Sequence, residues 1–230
     1  MIYINTDWSP LIISIKTAGL ATVVTSIVGI LASYFMANYK GKFKGLIDGI
    51  FTLPLILPPT VVGFFLLLVF GKNGFIGELL LKFDISIIFS WWATVLASIV
   101  VAFPMMYRTT RAAFEQIDNN MLLAARTLGL SEWKIFYKIA IPLAFPGIIA
   151  GIILSFARAM GEFGATLMIA GNIPGKTQTM PLAIFFAVEG GDMNKAIIWV
   201  MTITTISIVM ILILNYWSDI QQRIIGKRYR

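Results

Sequence analysis

The sequence predicts an all-α fold: a polytopic membrane helix bundle of five transmembrane helices, with a helical cytoplasmic loop between the third and fourth. Three observations predict it. The 230 residues are 58% hydrophobic and only 13% charged, with a mean hydropathy of +0.86. A soluble chain of this length carries about 25% charged residues and could not bury so much apolar surface in one core. Five runs are each long enough to cross a hydrocarbon layer of ~30 Å, which needs about 20 apolar residues. Lysine and arginine alternate in density between successive run ends, as membrane topology requires.

The first run covers residues 11–37, with Ser9 as its cap and Pro10 at the first helical position, where a missing N–H costs nothing. Residues 1–10 form a short extracytoplasmic N-terminus. They have no basic start, and the apolar run behind them is too long for a cleavable signal, so the first span is expected to stay in the membrane. Lys16 lies near the start of this run and can snorkel to the interface. The second run, 46–70, contains TLPLILPPTVVG. Pro54, Pro58 and Pro59 either kink a helix that faces the bundle interior or lie at one end and start it.

The third run, 85–107, has Trp91 and Trp92 near its start as interfacial anchors. The fourth and fifth cover 145–170 and 196–217, and 218–230 is a basic tail. One set of ends holds Lys40, Lys42, Lys44, Arg108, Arg111, Arg126, Lys134, Lys138, Arg223, Lys227, Arg228 and Arg230. The other holds only Lys16, Lys72, Lys82, Lys176 and Lys195. The positive-inside rule then places the N-terminus outside, the C-terminus in the cytoplasm, and the loop 108–144 inside the cell. No repeat of 20–50 residues is present, so neither a solenoid nor an inverted-repeat carrier is indicated.

That loop reads as two short helices. Asn119 or Asn120 caps the first and Gly129 ends it; Ser131 caps the second and Pro142 closes it. Small residues at Ala124 and Ala125, with Met121, Leu122 and Leu128, make a compact knob suited to another protein's groove, or an ordinary loop helix.

With no cysteine and no histidine, disulfides, thiolate metal sites and the usual general base are absent, and neither a catalytic nor a metal site is expected. The basic residues form no stripe with aromatics, so nucleic acid is not a partner. GNIPGKT, residues 171–177, imitates a phosphate-binding loop, but only three residues separate Gly171 from the Gly175–Lys176 pair where four are needed. It also falls on the outer side. Any nucleotide site therefore belongs to another subunit. Arg158 and Glu162 lie inside the fourth run four residues apart, on one helix face. Charges at membrane depth are either a structural pair or part of a pathway. Gly161 and Gly164 beside them let the helix end or bend, or let another approach.

Leu123-Ala124-Ala125, then Gly129, Ile141-Pro142 and Pro146-Gly147, resemble the cytoplasmic EAA loop of membrane subunits of type I ABC importers. Leu123 departs from that pattern, which has an acidic residue there. PLILPPTVVG (54–63), GFIGE (74–78), Phe103-Pro104, AARTLG (124–129), FARAMGEFGAT (156–166) and NIPGK (172–176) are most similar to the molybdate permeases of that family. The tungstate and sulfate permeases look similar in several of these stretches.

The resemblance implies a homodimer in the cytoplasmic (inner) membrane of a prokaryote, two ABC ATPase subunits, and an extracytoplasmic molybdate-binding protein. ATP and magnesium would sit on the ATPase, and this chain would bind no cofactor. Leu123, Ala124, Ala125, Gly129 and Pro142 would couple to the ATPase. Arg158, Gly161, Glu162, Gly164, Thr166, Pro58 and Pro59 would hold or line the gate. A secondary transporter or channel, or a scaffold subunit with no pathway, are the other classes open to this sequence.

Overall fold

The structure, a computed structural model, describes residues 7–228, with side chains as far as Trp217. Every described element is helical. Four helices are long and apolar enough to cross a membrane: α1 (Ser9–Asn38), α5 (Trp91–Glu115), a continuous helix over Glu132–Met160, and α11, whose apolar part is Met193–Trp217. A fifth crossing is made if the bent pair α2 (Lys44–Ile56) and α3 (Pro59–Phe70) counts as one. The chain is thus a multi-pass membrane bundle, as its composition predicts.

The helix starts differ in detail from expectation. Ser9 is the first residue of α1, not its cap. Its N–H and hydroxyl both donate to the Asp7 carboxylate, at 3.0 and 2.7 Å, while Pro10 sits in the first turn. The 46–70 run bends by 113° between α2 and α3. Pro54 is absorbed inside α2, whereas Pro58 and Pro59 mark the break. A proline cannot donate to the preceding turn; here Pro58 instead supplies its carbonyl to the N–H groups of Val61 and Val62 and starts α3.

α5 begins at Trp91, not residue 85, because Phe89 takes a left-handed conformation (φ 59°) and donates its N–H to the Ile169 carbonyl. It also runs past Tyr107 to Glu115, helped by an Arg111–Glu115 pair at i,i+4. The loop expected over 108–144 is therefore shorter at both ends.

Pro142 closes nothing. From Ser131 the chain runs through α7 (Glu132–Ile135) and a π turn (Phe136–Ala140) into α8 (Ile141–Met160) without stopping. A proline ring clashes with the carbonyl four residues back; a wider π turn just ahead of Pro142 relieves that crowding and lets the helix pass. The fourth span consequently occupies 132–160, not 145–170. Residues 164–170 form a separate half-helix, α9 (Gly164–Ala170). Two short helices were not anticipated: α4 (Phe75–Leu81) and α10 (Met180–Glu189). α11 continues as a helix through Arg228, so the 218–230 tail is helical along its described backbone.

α1, α5 and α8 pack around small residues, as helices do when lipid competes for every apolar surface. A Cβ on Gly29 of α1 would lie 2.7 Å from Met106 of α5, and one on Gly147 of α8 would run into the Ala113 methyl of α5. Between α1 and α5, Ser33 donates to the Tyr107 carbonyl at 2.8 Å, and the Thr17 and Thr94 hydroxyls bond at 2.9 Å. α11 buries only 6% of its apolar stretch, so it presents itself to lipid or to another subunit.

Another close crossing joins α3 to α9. A Cβ on Gly63 would meet Met168 Cβ at 2.7 Å and the Ala165 backbone at 2.8 Å. Gly63→Ala should therefore destabilise the bundle by ~1–3 kcal/mol of overpacking. Gly19→Ala, which meets nothing within 4 Å, should not. Thermal unfolding of both variants in detergent checks this; equal midpoints would mean that the crossing is loose.

Candidate functional site: two broken helices and a projecting loop

The first candidate site lies where α8 stops and α9 begins. Gly161 ends α8 with φ −90°, and Phe163 leaves the helical region before α9 resumes. A break inside an apolar span exposes backbone N–H groups with no water to satisfy them. Glu162 fills that gap. Its Oε1 accepts the Ala165 N–H at 2.8 Å, so the carboxylate caps α9. Its Oε2 lies 2.9 Å from Arg158 Nη1, close enough for charge neutralisation, but without hydrogen-bond alignment. The Glu162 side chain is 1% exposed and that of Arg158 25%, so the anion is enclosed and the cation reaches towards the surface. The i,i+4 pair expected from the sequence is present, and its carboxylate has a backbone role that spacing could not reveal.

α9 begins against the other break. A Cβ on Gly164 would sit 3.1 Å from Pro59 Cβ and 3.1 Å from the Thr60 N. Pro58 and Pro59, Gly161 and Gly164, and Arg158 and Glu162 thus come together where two interrupted helices cross. Thr166 is buried on α9, and its hydroxyl has no hydrogen-bond partner.

The second candidate site is the loop between α5 and α8. Asp118, not Asn119 or Asn120, caps α6 (Asn119–Thr127), accepting the Asn120 N–H at 2.9 Å. Gly129 ends it at φ +76°, and Ser131 accepts the Lys134 N–H to start α7. Leu122 and Ala125 turn inward onto Ile135, with Ile117, Leu130 and Ile139 around them. Leu123 (53% exposed), Ala124, Leu128 (82%) and Trp133 (65%) point away from the bundle. The knob is thus split: one face anchors, the other is free. Arg126 holds Glu132 with two bonds, 2.7 and 3.1 Å, across the Gly129 turn. That carboxylate raises the Arg126 pKa further, keeping it charged. Pro142 lies beyond this knob, inside the helix that leads away from it.

A third cluster was not foreseen. Asp48 on α2 pairs with Arg111 on α5 and accepts the buried Tyr107 hydroxyl at 2.8 Å. Arg111 also reaches Glu115, and Lys44 approaches the same carboxylate at 3.8 Å. A single Asp inside the apolar 46–70 run was the available signal. GNIPGKT, by contrast, closes on itself. The N–H groups of Lys176, Thr177 and Gln178 all donate to the Ile173 carbonyl, so they form no phosphate cradle.

These features define a class: a membrane bundle with a projecting helical knob on one side and interrupted helices within. The chain belongs to the family described as binding-protein-dependent transport system inner membrane components, whose signature matches residues 29–230. Within that family it is 39% identical over 230 residues to the molybdenum transport system permease protein ModB of Escherichia coli (strain K12), covering 99% of this chain and 100% of that one. It is 33% identical over 215 residues to the sulfate transport system permease protein CysT of the same organism, covering 93% of this chain and 78% of that one. Its fold matches a crystal structure of a bacterial ABC transporter involved in the import of the acidic polysaccharide alginate, with a TM-score of 0.71 at 13% identity, over 94% of this chain and 79% of that one.

Removing Arg158 leaves an enclosed carboxylate unpaired. Arg158→Ala should cost roughly 3–5 kcal/mol. Adding Glu162→Gln, which keeps an acceptor for the Ala165 N–H, should return most of that loss. A double-mutant cycle read by detergent unfolding checks the coupling; additive effects would show that the two charges do not interact.

Proposed function

We propose that this chain is the permease subunit of an ATP-driven importer for molybdate, working as a homodimer with two ATPase subunits and an extracytoplasmic molybdate-binding protein. The N-terminus lies outside and the C-terminus in the cytoplasm, in keeping with the concentration of lysine and arginine at one set of ends. The observation that carries the coupling role is the outer face of the segment formed by α6, the Gly129 turn and α7. Leu123, Leu128 and Trp133 are exposed on a loop that lies on the basic, cytoplasmic side. Large apolar groups exposed on a projecting segment call for a partner's groove. ModB's full-length similarity supports molybdate as the substrate.

The mechanism follows from the connections. α6 is clamped to α7 by the Leu122–Ala125–Ile135 cluster and the Arg126–Glu132 pair, so a push on α6 moves α7. α7 continues without interruption into α8. The far end of α8 is the Gly161–Phe163 break, where α9 crosses α3. ATP-driven closure of the ATPase pair would thus move a rigid lever of about 40 Å whose opposite end carries the gate. Nucleotide biases the gate only through different contacts with α6 in the two states. ATP and magnesium act on the ATPase; this chain contributes the docking helix, the lever and the gate.

In the gate, Glu162 is engaged by Arg158 and the α9 backbone, so it presents little free negative charge to an oxyanion. Arg158, partly exposed, is the cation at hand for a tetrahedral dianion. Pro58, Pro59, Gly161 and Gly164 set the two breaks, and Thr166 offers a hydroxyl beside them.

Gly129→Glu places a charged, β-carbon-bearing residue at φ +76° on the docking face. It should abolish co-purification of the ATPase and ATP-dependent molybdate uptake in proteoliposomes. Gly129→Ala, which adds only the backbone strain of about 1–2 kcal/mol, should keep most of both. Normal co-purification with stimulated ATP hydrolysis in Gly129→Glu would sink the docking role.

A further inference from the structure

A cavity of about 450 Å³ opens between the first two turns of α1, the start of α5 and the loop after α9. Ile12, Ile13 and Trp91 make its apolar wall, and Lys16, Gly175 and Lys176 its polar rim. None of these belongs to the lever or the gate. Ser9, Ile12, Ile13 and Lys16 recur at three- and four-residue steps, so they form one face of α1. Trp91 is fixed in place: its Nε1 donates to Thr17 at 3.0 Å, and the Thr17 hydroxyl bonds Thr94. The wall is therefore built, not a chance gap between mobile side chains.

The charges at the rim all have one sign. Lys16 and Lys176 are both exposed and form no salt bridge among the described residues. Asp7, the carboxylate nearest to Lys16 in sequence, does not line the cleft and instead accepts the Ser9 N–H and hydroxyl. Lys16 lies seven residues into α1, roughly 10 Å along the axis at 1.5 Å per residue. That is headgroup depth in a bilayer, where a lysine stem lies along apolar surface and its ammonium reaches outward. Trp91 begins α5 at the same level, where indoles concentrate.

Two ammonium groups above an apolar trough match one chemistry: a phosphate monoanion joined to acyl chains. A free oxyanion would use the lysines but gain nothing from Ile12, Ile13 and the indole face. A zwitterionic lipid would carry its own cation towards two lysines. We propose that this cleft is a binding site for an anionic phospholipid, with the phosphate between Lys16 and Lys176 and an acyl chain along Ile12 and Ile13. The assignment to the outer leaflet rests on the orientation proposed above; the site itself does not.

The test uses the intact complex with its ATPase subunits, exchanged into bilayers of phosphatidylglycerol and phosphatidylcholine, with retained lipid read by native mass spectrometry. Wild type should retain phosphatidylglycerol selectively. Lys16→Gln with Lys176→Gln should weaken that retention about 30-fold and either single change about 5-fold, as expected for a lysine beside an anionic surface. Lys16→Arg with Lys176→Arg should keep it, which separates loss of charge from loss of folding. Unchanged retention in the double Gln variant, or equal retention of the two lipids by wild type, would overturn the proposal. So would displacement of the lipid by inorganic phosphate alone, since that would make the cleft a free-anion site. Because the readout is bound lipid and not transport, a failure here leaves the molybdate reading untouched.

Discussion

The architecture depends on how the chain satisfies its backbone where a helix breaks inside an apolar layer. At Gly161–Phe163 the next half-helix begins with unpaired N–H groups, and lipid offers them nothing. Glu162 resolves this with one carboxylate: Oε1 takes the Ala165 N–H, and Oε2 lies against Arg158. An enclosed carboxylate without its arginine would be costly, and an arginine at this depth without the carboxylate equally so. Each charge is tolerable because of the other, and the break is tolerable because of both.

With that break secured, α9 can lie across α3 at a contact too close for side chains. Gly63 and Gly164 are the residues that permit it, and Pro58 and Pro59 place the α3 break beside the α9 start. The bundle thereby gains an internal joint between two half-helices, while α1, α5 and α8 form a firmly packed frame around it. At the other end of the Glu132–Met160 helix the Arg126–Glu132 pair and the Leu122 cluster fix α6 as a handle. Exposed ion pairs of this kind add little stability; here the value of the pair lies in fixing the angle between two helices. The Asp48–Arg111–Tyr107 cluster ties α2 to α5 on the side of the bundle that carries Lys44, so the frame is closed there as well.

Much of this was legible in the residues. The apolar runs, the lysine and arginine asymmetry, Ser131 as a cap, Gly129 as a left-handed stop and the Arg158–Glu162 spacing all have short-range causes, and the structure carries each local one. What the sequence hid depends on longer-range partners. Pro142 reads as a terminator until a π turn ahead of it gives the ring room. Asp118 outranks Asn119 and Asn120 as cap only because of where the turn falls. Gly161 and Gly164 mark a place where the helix can end or bend, but that it does stop there depends on one internal acceptor, Glu162, which takes the Ala165 N–H. Asp48 in the second run has no visible partner until α2 lies beside α5. α4 and α10 are too short for periodicity to distinguish them from loop. Leu123, the departure from the acidic pattern, lies on the free face of α6, so its chemistry is that of an apolar contact and not of a salt bridge.

The central claim is that the free face of α6 is where an ATPase grips this subunit. The chain has no cysteine, so a single cysteine at Leu123 can be cross-linked without background. In complex with the ATPase subunits, Leu123→Cys should cross-link to the ATPase with a short bifunctional reagent, and the yield should change between nucleotide-free and ATP-bound states. A cysteine at Lys42, in the neighbouring loop before α2, should cross-link weakly and without nucleotide dependence. Strong cross-linking at Lys42 with none at Leu123 would contradict the account and move the coupling site to another loop.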